Sequence, residues 1–112
     1  MNVKFRTDIE AVVLATLAGG RKHGYGIVQS VRESAGSVLK LGEGQLYPIL
    51  HRLEEHGWVS AEWEMQEGKP PKRVYTLTEE GTKELARRKG DWVKFNSAIS
   101  SLLSSQEANG NA

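Results

Sequence analysis

The hydrophobic period of this chain changes at Gly57, and that change limits the available folds more than any other feature. Before it, apolar residues recur at helical spacing. After it, Val59, Ala61, Trp63 and Met65 alternate with Ser60, Glu62 and Glu64, as in a half-buried strand. Gln66 to Lys72, with Gly68, Pro70 and Pro71, reads as a turn or loop. Arg73 to Leu77 reads as a returning strand, so residues 58–77 form a hairpin. Thr78 then reads as an N-cap, with Glu79 and Glu80 near the positive end of the next helix dipole.

Three helices precede the hairpin. Thr7-Asp8-Ile9-Glu10 is a capping-box pattern, followed by Ile9, Val12, Val13 and Leu17 at helical spacing and a stop at Gly19-Gly20. His23-Gly24-Tyr25-Gly26 opens a second helix with Ile27, Val28, Val31 and Ala35 on one side and a stop at Gly36. The third covers Glu43 to His56, with Leu46, Ile49, Leu50 and Leu53 as its buried stripe and Pro48 near its start. In the last helix Leu85, Trp92 and Ile99 sit seven apart, with Phe95 and Leu102 three beyond Trp92 and Ile99. This is an a/d pattern interrupted by Arg88, and it is longer than a compact three-helix core needs. The expected fold is mainly α with a small β-hairpin. It comprises a winged helix-turn-helix over 1–77, a long C-terminal dimerisation helix over 78–105 and a flexible polar tail over 106–112. The expected dimer interface is Leu85, Trp92, Phe95, Ile99 and Leu102.

Composition excludes several classes. Net charge is +1, from 15 Lys and Arg against 14 Asp and Glu, so any nucleic-acid site must be a local patch. Cysteine is absent, which rules out disulfides and thiolate metal sites. No signal-like or membrane-length apolar run is present, so a cytoplasmic location is expected. No nucleophile–base pair, metal set or phosphate loop occurs, so neither an enzyme nor a cofactor is expected. His51 and His56 are five apart on different sides of a helix, and Gly24-x-Gly26 and Gly42-x-Gly44 lack a third glycine.

A helix-turn-helix followed by a wing is a DNA-docking arrangement. At about 100° per residue, Tyr47, Pro48, His51 and Glu55 point away from the buried stripe of the third helix, with Arg52 at the flank. Such side chains reach phosphates and base edges. Lys69, Lys72 and Arg73 add a basic wing stiffened by two prolines. Blander roles stand beside these: Tyr47 packed over Pro48, the wing bases as a solubilising edge, and Glu54-Glu55 as a solvated edge. Trp58 reads as a core plug, Trp63 and Tyr75 as cross-strand partners, and Arg87-Arg88-Lys89 as a solvated face near Glu84 and Asp91. A winged-helix module that binds protein instead of DNA is the alternative function.

The sequence resembles the PadR family of transcriptional regulators, in particular its short members with a single C-terminal helix. The resemblance rests on His23-Gly24-Tyr25-Gly26-Ile27, on Gly44-Gln45-Leu46-Tyr47-Pro48-Ile49-Leu50-His51-Arg52-Leu53-Glu54, on Gly57-Trp58-Val59 and on Arg73-Val74-Tyr75-Thr76-Leu77-Thr78-Glu79-Glu80-Gly81. It implies a homodimeric repressor that binds an inverted-repeat operator in double-stranded DNA and is released by a small molecule. It also implies that Tyr25, Gln45, Tyr47 and Arg52, with the wing bases, face DNA. In some short members the paired terminal helices frame a cavity for flat aromatic compounds, which implies a stacking role for Trp92. Gly42-Glu43-Gly44-Gln45 departs from the family's usual Ser-capped, Gly-Thr entry to the third helix, and Gly26 stands where a larger polar residue is common.

Overall fold

The computed structural model describes residues 8–36 and 38–110, with side chains through Ser105. The elements run α1 (Ile9–Ala18), β1 (Lys22–His23), α2 (Gly24–Ala35), α3 (Glu43–Glu55), β2 (Val59–Gln66), β3 (Lys69–Leu77) and α4 (Glu79–Gly110). Thr7 lies outside the described residues. Asp8 caps α1, its Oδ1 accepting the Ala11 N–H at 3.1 Å.

α1 is apolar around most of its circumference because it is the central helix, contacting α2, α3, α4 and β3. The stripes of α2 and α3 close on it. Val13, Leu14, Ile27, Leu46, Leu50 and Leu53 are almost wholly removed from water, and no polar or charged residue among those described is buried with them. Burying a side chain of this kind contributes roughly 1.5–3 kcal/mol. Pro48 sits in the second turn of α3, where it removes the amide that the exposed Gly44 carbonyl would accept.

The three strands form an antiparallel sheet in the order β1-β3-β2. β1 was not expected; it pairs Lys22 with Tyr75 and His23 with Val74. The predicted loop over 66–72 is mostly strand, turning only at Glu67-Gly68, and Lys69–Leu77 is continuous β3. Pro70 and Pro71 together lie opposite Met65, at a bulge in the ladder between Glu64 and Gln66, and β1 reaches only Val74 and Tyr75, so the other side of this stretch of β3 is an open edge. Trp63 pairs across the ladder with Arg73, not with Tyr75, whose partner is Ala61. Trp63 and Met65 are exposed because the hairpin runs past the helical core.

Thr78 caps α4 as expected: its Oγ1 accepts the Gly81 N–H at 3.0 Å and donates to the Gly57 carbonyl at 2.7 Å. α4 continues to Gly110, beyond the point where a tail was expected. No proline or glycine interrupts residues 104–109, so the backbone can continue the helix. Leu85 packs on the chain's own core, and the interrupting Arg88 pairs with Asp8, Glu10 and Glu84. The helix then leaves the domain. The radius of gyration is 17.4 Å, against about 13 Å for a compact chain of this length. Among the described residues, no helix is long and apolar enough to cross a membrane.

Candidate nucleic-acid interface

α3 buries Leu46, Ile49, Leu50 and Leu53 and turns Tyr47, Pro48 and His51 outward. Tyr47 does not rest merely on Pro48. Its ring lies across the first residue of α2, so close that a Cβ on Gly24 would come within 2.8 Å of the hydroxyl oxygen. Glycine at this position therefore allows the first turn of α2 to meet the outward face of α3. The wing closes the third side. A groove of about 580 Å³ results, lined by Tyr25, Gln29 and Gly26 of α2, Tyr47 of α3, and Trp63, Pro71, Lys72, Arg73 and Tyr75 of the wing.

The expected DNA-facing residues divide in two. Tyr25 and Tyr47 are about half exposed at the groove, and Gln29 donates to the Tyr25 hydroxyl at 3.4 Å. Lys69 and Lys72 are exposed, and among the described residues neither has an ion-pair partner. His51 is exposed, with its Nε2 2.8 Å from Glu55 Oε1 one turn on.

The other residues are engaged within the fold. Gln45 Oε1 accepts the Gly42 N–H at 3.2 Å. This is the reciprocal half of a capping box, the only half possible because Gly42 has no side chain. Arg52 lies outside the groove and donates to Glu10 of α1 at 3.2 Å. Burial pushes the Glu10 carboxyl up, but Arg52 and Arg88 outweigh that and hold it below its ordinary 4.5. Arg73 donates to Glu54 at 3.0 Å and lies 5.3 Å above the Trp63 ring. The Glu54 bond raises the affinity of the Arg73 guanidinium for its proton. Glu54, read as a solvated edge, is thus a partner of the wing.

The sequence reading missed Gln29, Pro71 and Tyr75 as groove residues. Their only signal was position beside Tyr25 and Lys72. Tyr75 is buried, and burial together with the Glu54 charge raises its hydroxyl above its ordinary value. No cluster among the described residues has the composition of a metal site.

On α4, Trp92, Ile99 and Leu102 are 50%, 40% and 61% exposed, and Phe95 is half-buried. Leu103 extends the same face, since it lies at the same angle as Leu85. The apolar face is therefore continuous: its first part covers the chain's own core and its second part is uncovered.

Residues 13–87 match the family described as Transcriptional regulator PadR-like family. The negative transcriptional regulator PadR of Bacillus subtilis is 31% identical over 85 residues, which are 76% of this chain and 44% of that protein. The chain thus spans less than half the length of that relative. The crystal structure of Bacillus subtilis PadR in complex with operator DNA superposes with a TM-score of 0.66 at 30% identity, over 76% of this chain and 46% of that one. A PadR-like transcription factor from Bacteroides fragilis superposes with a TM-score of 0.74 at 27% identity, over 87% of this chain and 91% of that one. The match runs from within α1 through the groove and the wing to the first turns of α4, and the chain belongs to the PadR-like family of transcriptional regulators.

Proposed function

We propose that this chain is a homodimeric repressor that binds an inverted-repeat operator through the outward face of α3 and the wing. The observation that carries the reading is the groove. It gathers hydroxyls from Tyr25 and Tyr47 beside the ammonium of Lys72, with Lys69 further along the wing. A groove with donors on two walls and a cation on the third suits a phosphate backbone, with the exposed turn of α3 directed at base edges. Support comes from Bacillus subtilis PadR, a negative regulator solved with operator DNA. The uncovered half of the α4 face supports pairing with a second copy, because Trp92, Ile99, Leu102 and Leu103 would otherwise remain in water. Two-fold pairing places the half-sites about 34 Å apart. A small aromatic effector stacked on Trp92 would act through that interface.

The test is fluorescence anisotropy with labelled duplex from the region upstream of the gene, against scrambled duplex, over a salt series. Tighter binding to the upstream duplex with a dyad footprint is the expected result. Equal, weak binding to both duplexes, unaffected by joint neutralisation of Lys69 and Lys72, would favour a protein-interaction module.

A further inference from the structure

Arg73 stands on the wing of a proposed DNA-binding face, yet its guanidinium is already engaged within the fold. Its guanidinium is held between Glu54 Oε1 at 3.0 Å and the Trp63 ring at 5.3 Å. Glu54 belongs to the last turn of α3 and Trp63 to β2. Tyr75, on the same side of β3 as Arg73, is buried between them and the body. On its β1 side the wing is tied by Glu64 to Arg21 and His23, and beyond that it projects past the core, with Trp63 and Met65 63% and 78% exposed. A projecting hairpin needs something to fix its angle to the reading helix, and among the described residues the Arg73–Glu54 pair is the side-chain hydrogen bond that joins the wing to α3.

We infer that Glu54, Arg73 and Trp63 form a clamp that sets the wing against α3, and that Arg73 is a positioning residue for operator recognition. A guanidinium suits this role because its plane stacks on an aromatic face while its edge donates to a carboxylate. The clamp presents Lys72 and Pro71 to the groove at one fixed distance from Tyr47. The inference rests on the DNA-binding reading above.

The two possible roles for Arg73 predict opposite signs for one substitution. If Arg73 held phosphate, Glu54→Gln would free it and remove a negative charge near DNA, and binding would tighten or stay the same. If Arg73 positions the wing, Glu54→Gln loosens the wing and weakens operator binding. The experiment is operator anisotropy over a salt series with wild type, Glu54→Gln, Arg73→Gln, Trp63→Leu and Lys72→Ala, each checked for folding by circular dichroism. The expected result is a loss of about tenfold for Glu54→Gln and Arg73→Gln with the salt slope unchanged. Lys72→Ala should lower the slope by about 0.9 per lost phosphate contact. Trp63→Leu changes an exposed residue, so it keeps the test open should Glu54→Gln fail to fold; it too should weaken binding at constant slope. Unchanged or tighter binding by Glu54→Gln, or a reduced slope in Arg73→Gln, overturns the clamp. Wild-type protein with no preference for its operator overturns the DNA reading itself, and the clamp's part in recognition with it.

Discussion

Arg88 interrupts the apolar face of α4, and replacing it should destabilise the protein more than any surface charge would. Its side chain is only 15% exposed. It donates to Glu84 Oε2 at 2.6 Å and Asp8 Oδ1 at 2.8 Å, pairs with Glu10 Oε1 at 3.0 Å, and its guanidinium lies 5.1 Å above the Trp58 ring. Removing it leaves those carboxylates facing one another, with Arg52 on Glu10 and Arg87 on Glu84 as the remaining ion-paired cations among the described residues. Breaking a fully buried pair costs about 3–5 kcal/mol. Asp8 and Glu10 retain some exposure, so about 2–3 kcal/mol is expected for Arg88→Ala. At roughly 4 °C per kcal/mol for a domain of this size, the midpoint falls by about 8–12 °C. Thermal circular dichroism at fixed protein concentration measures this. Arg88→Met keeps apolar bulk over Trp58 and removes the charge, so it separates packing from electrostatics. The deficit of Arg88→Met should shrink in acid as the carboxylates protonate. Arg87 first, and then Arg88, hold the Glu84 carboxyl at about 2 against an ordinary 4.5. A depressed carboxyl stabilises the folded state fully above pH 4.5, and that contribution is lost as the pH falls toward 2. An Arg88→Met protein that melts with wild type at pH 7, or whose deficit is the same at pH 3, would refute this reasoning.

Other substitutions probe separate links. A Cβ on Gly81 would lie 2.0 Å from the Trp58 carbonyl oxygen, a backbone atom that cannot yield cheaply. Gly81→Ala should therefore cost at least about 2 kcal/mol, seen as a lower urea midpoint at unchanged m-value; a neutral result would mean that α4 starts elsewhere. Ile99→Glu places a charge on the uncovered face of α4. It should give a folded monomer by sedimentation velocity and weaken operator binding; a protein that sediments as a dimer would exclude this face from the interface.

The helices, the hairpin and the outward face of α3 were legible because each rests on local periodicity. Leu46, Ile49, Leu50 and Leu53 announce a buried stripe, and Tyr47 and His51 lie opposite it whatever the tertiary fold. β1 was not legible, since two residues cannot display a period. The prolines argued for a loop because proline lacks a donor, and the bulge and open edge that tolerate them depend on strand pairing that no local pattern displays. Alternation gave Trp63 and Met65 a face but could not show whether anything covers it. Ion pairs were the least legible feature. Arg52 meets Glu10 across 42 positions and Arg73 meets Glu54 across 19, and no local pattern links such residues. Arg88 was visible as a break in the a/d stripe, although the break alone did not reveal its acidic partners.

Those pairs explain how a chain of net charge +1 can present a basic reading face. Arg21, Arg52, Arg73, Arg87 and Arg88 all have carboxylate partners, and several tie one element to another. The fork of a guanidinium favours such fixed geometry, whereas an ammonium on a flexible stem remains hydrated and free to meet a phosphate. On the wing, Lys69 and Lys72 are exposed without an ion-pair partner among the described residues and would fill that second role in the proposed complex. Two wing lysines per protomer make four in the proposed dimer, which would contribute about −3.6 to the salt slope of operator binding. A slope beyond about −6 that returns to about −3.6 in an Arg52→Gln, Arg73→Gln double variant would mean that arginines leave Glu10 or Glu54 for phosphate when DNA arrives. Binding would then release the contacts that join α3 to α1 and to the wing, and recognition would require the domain to loosen as it docks.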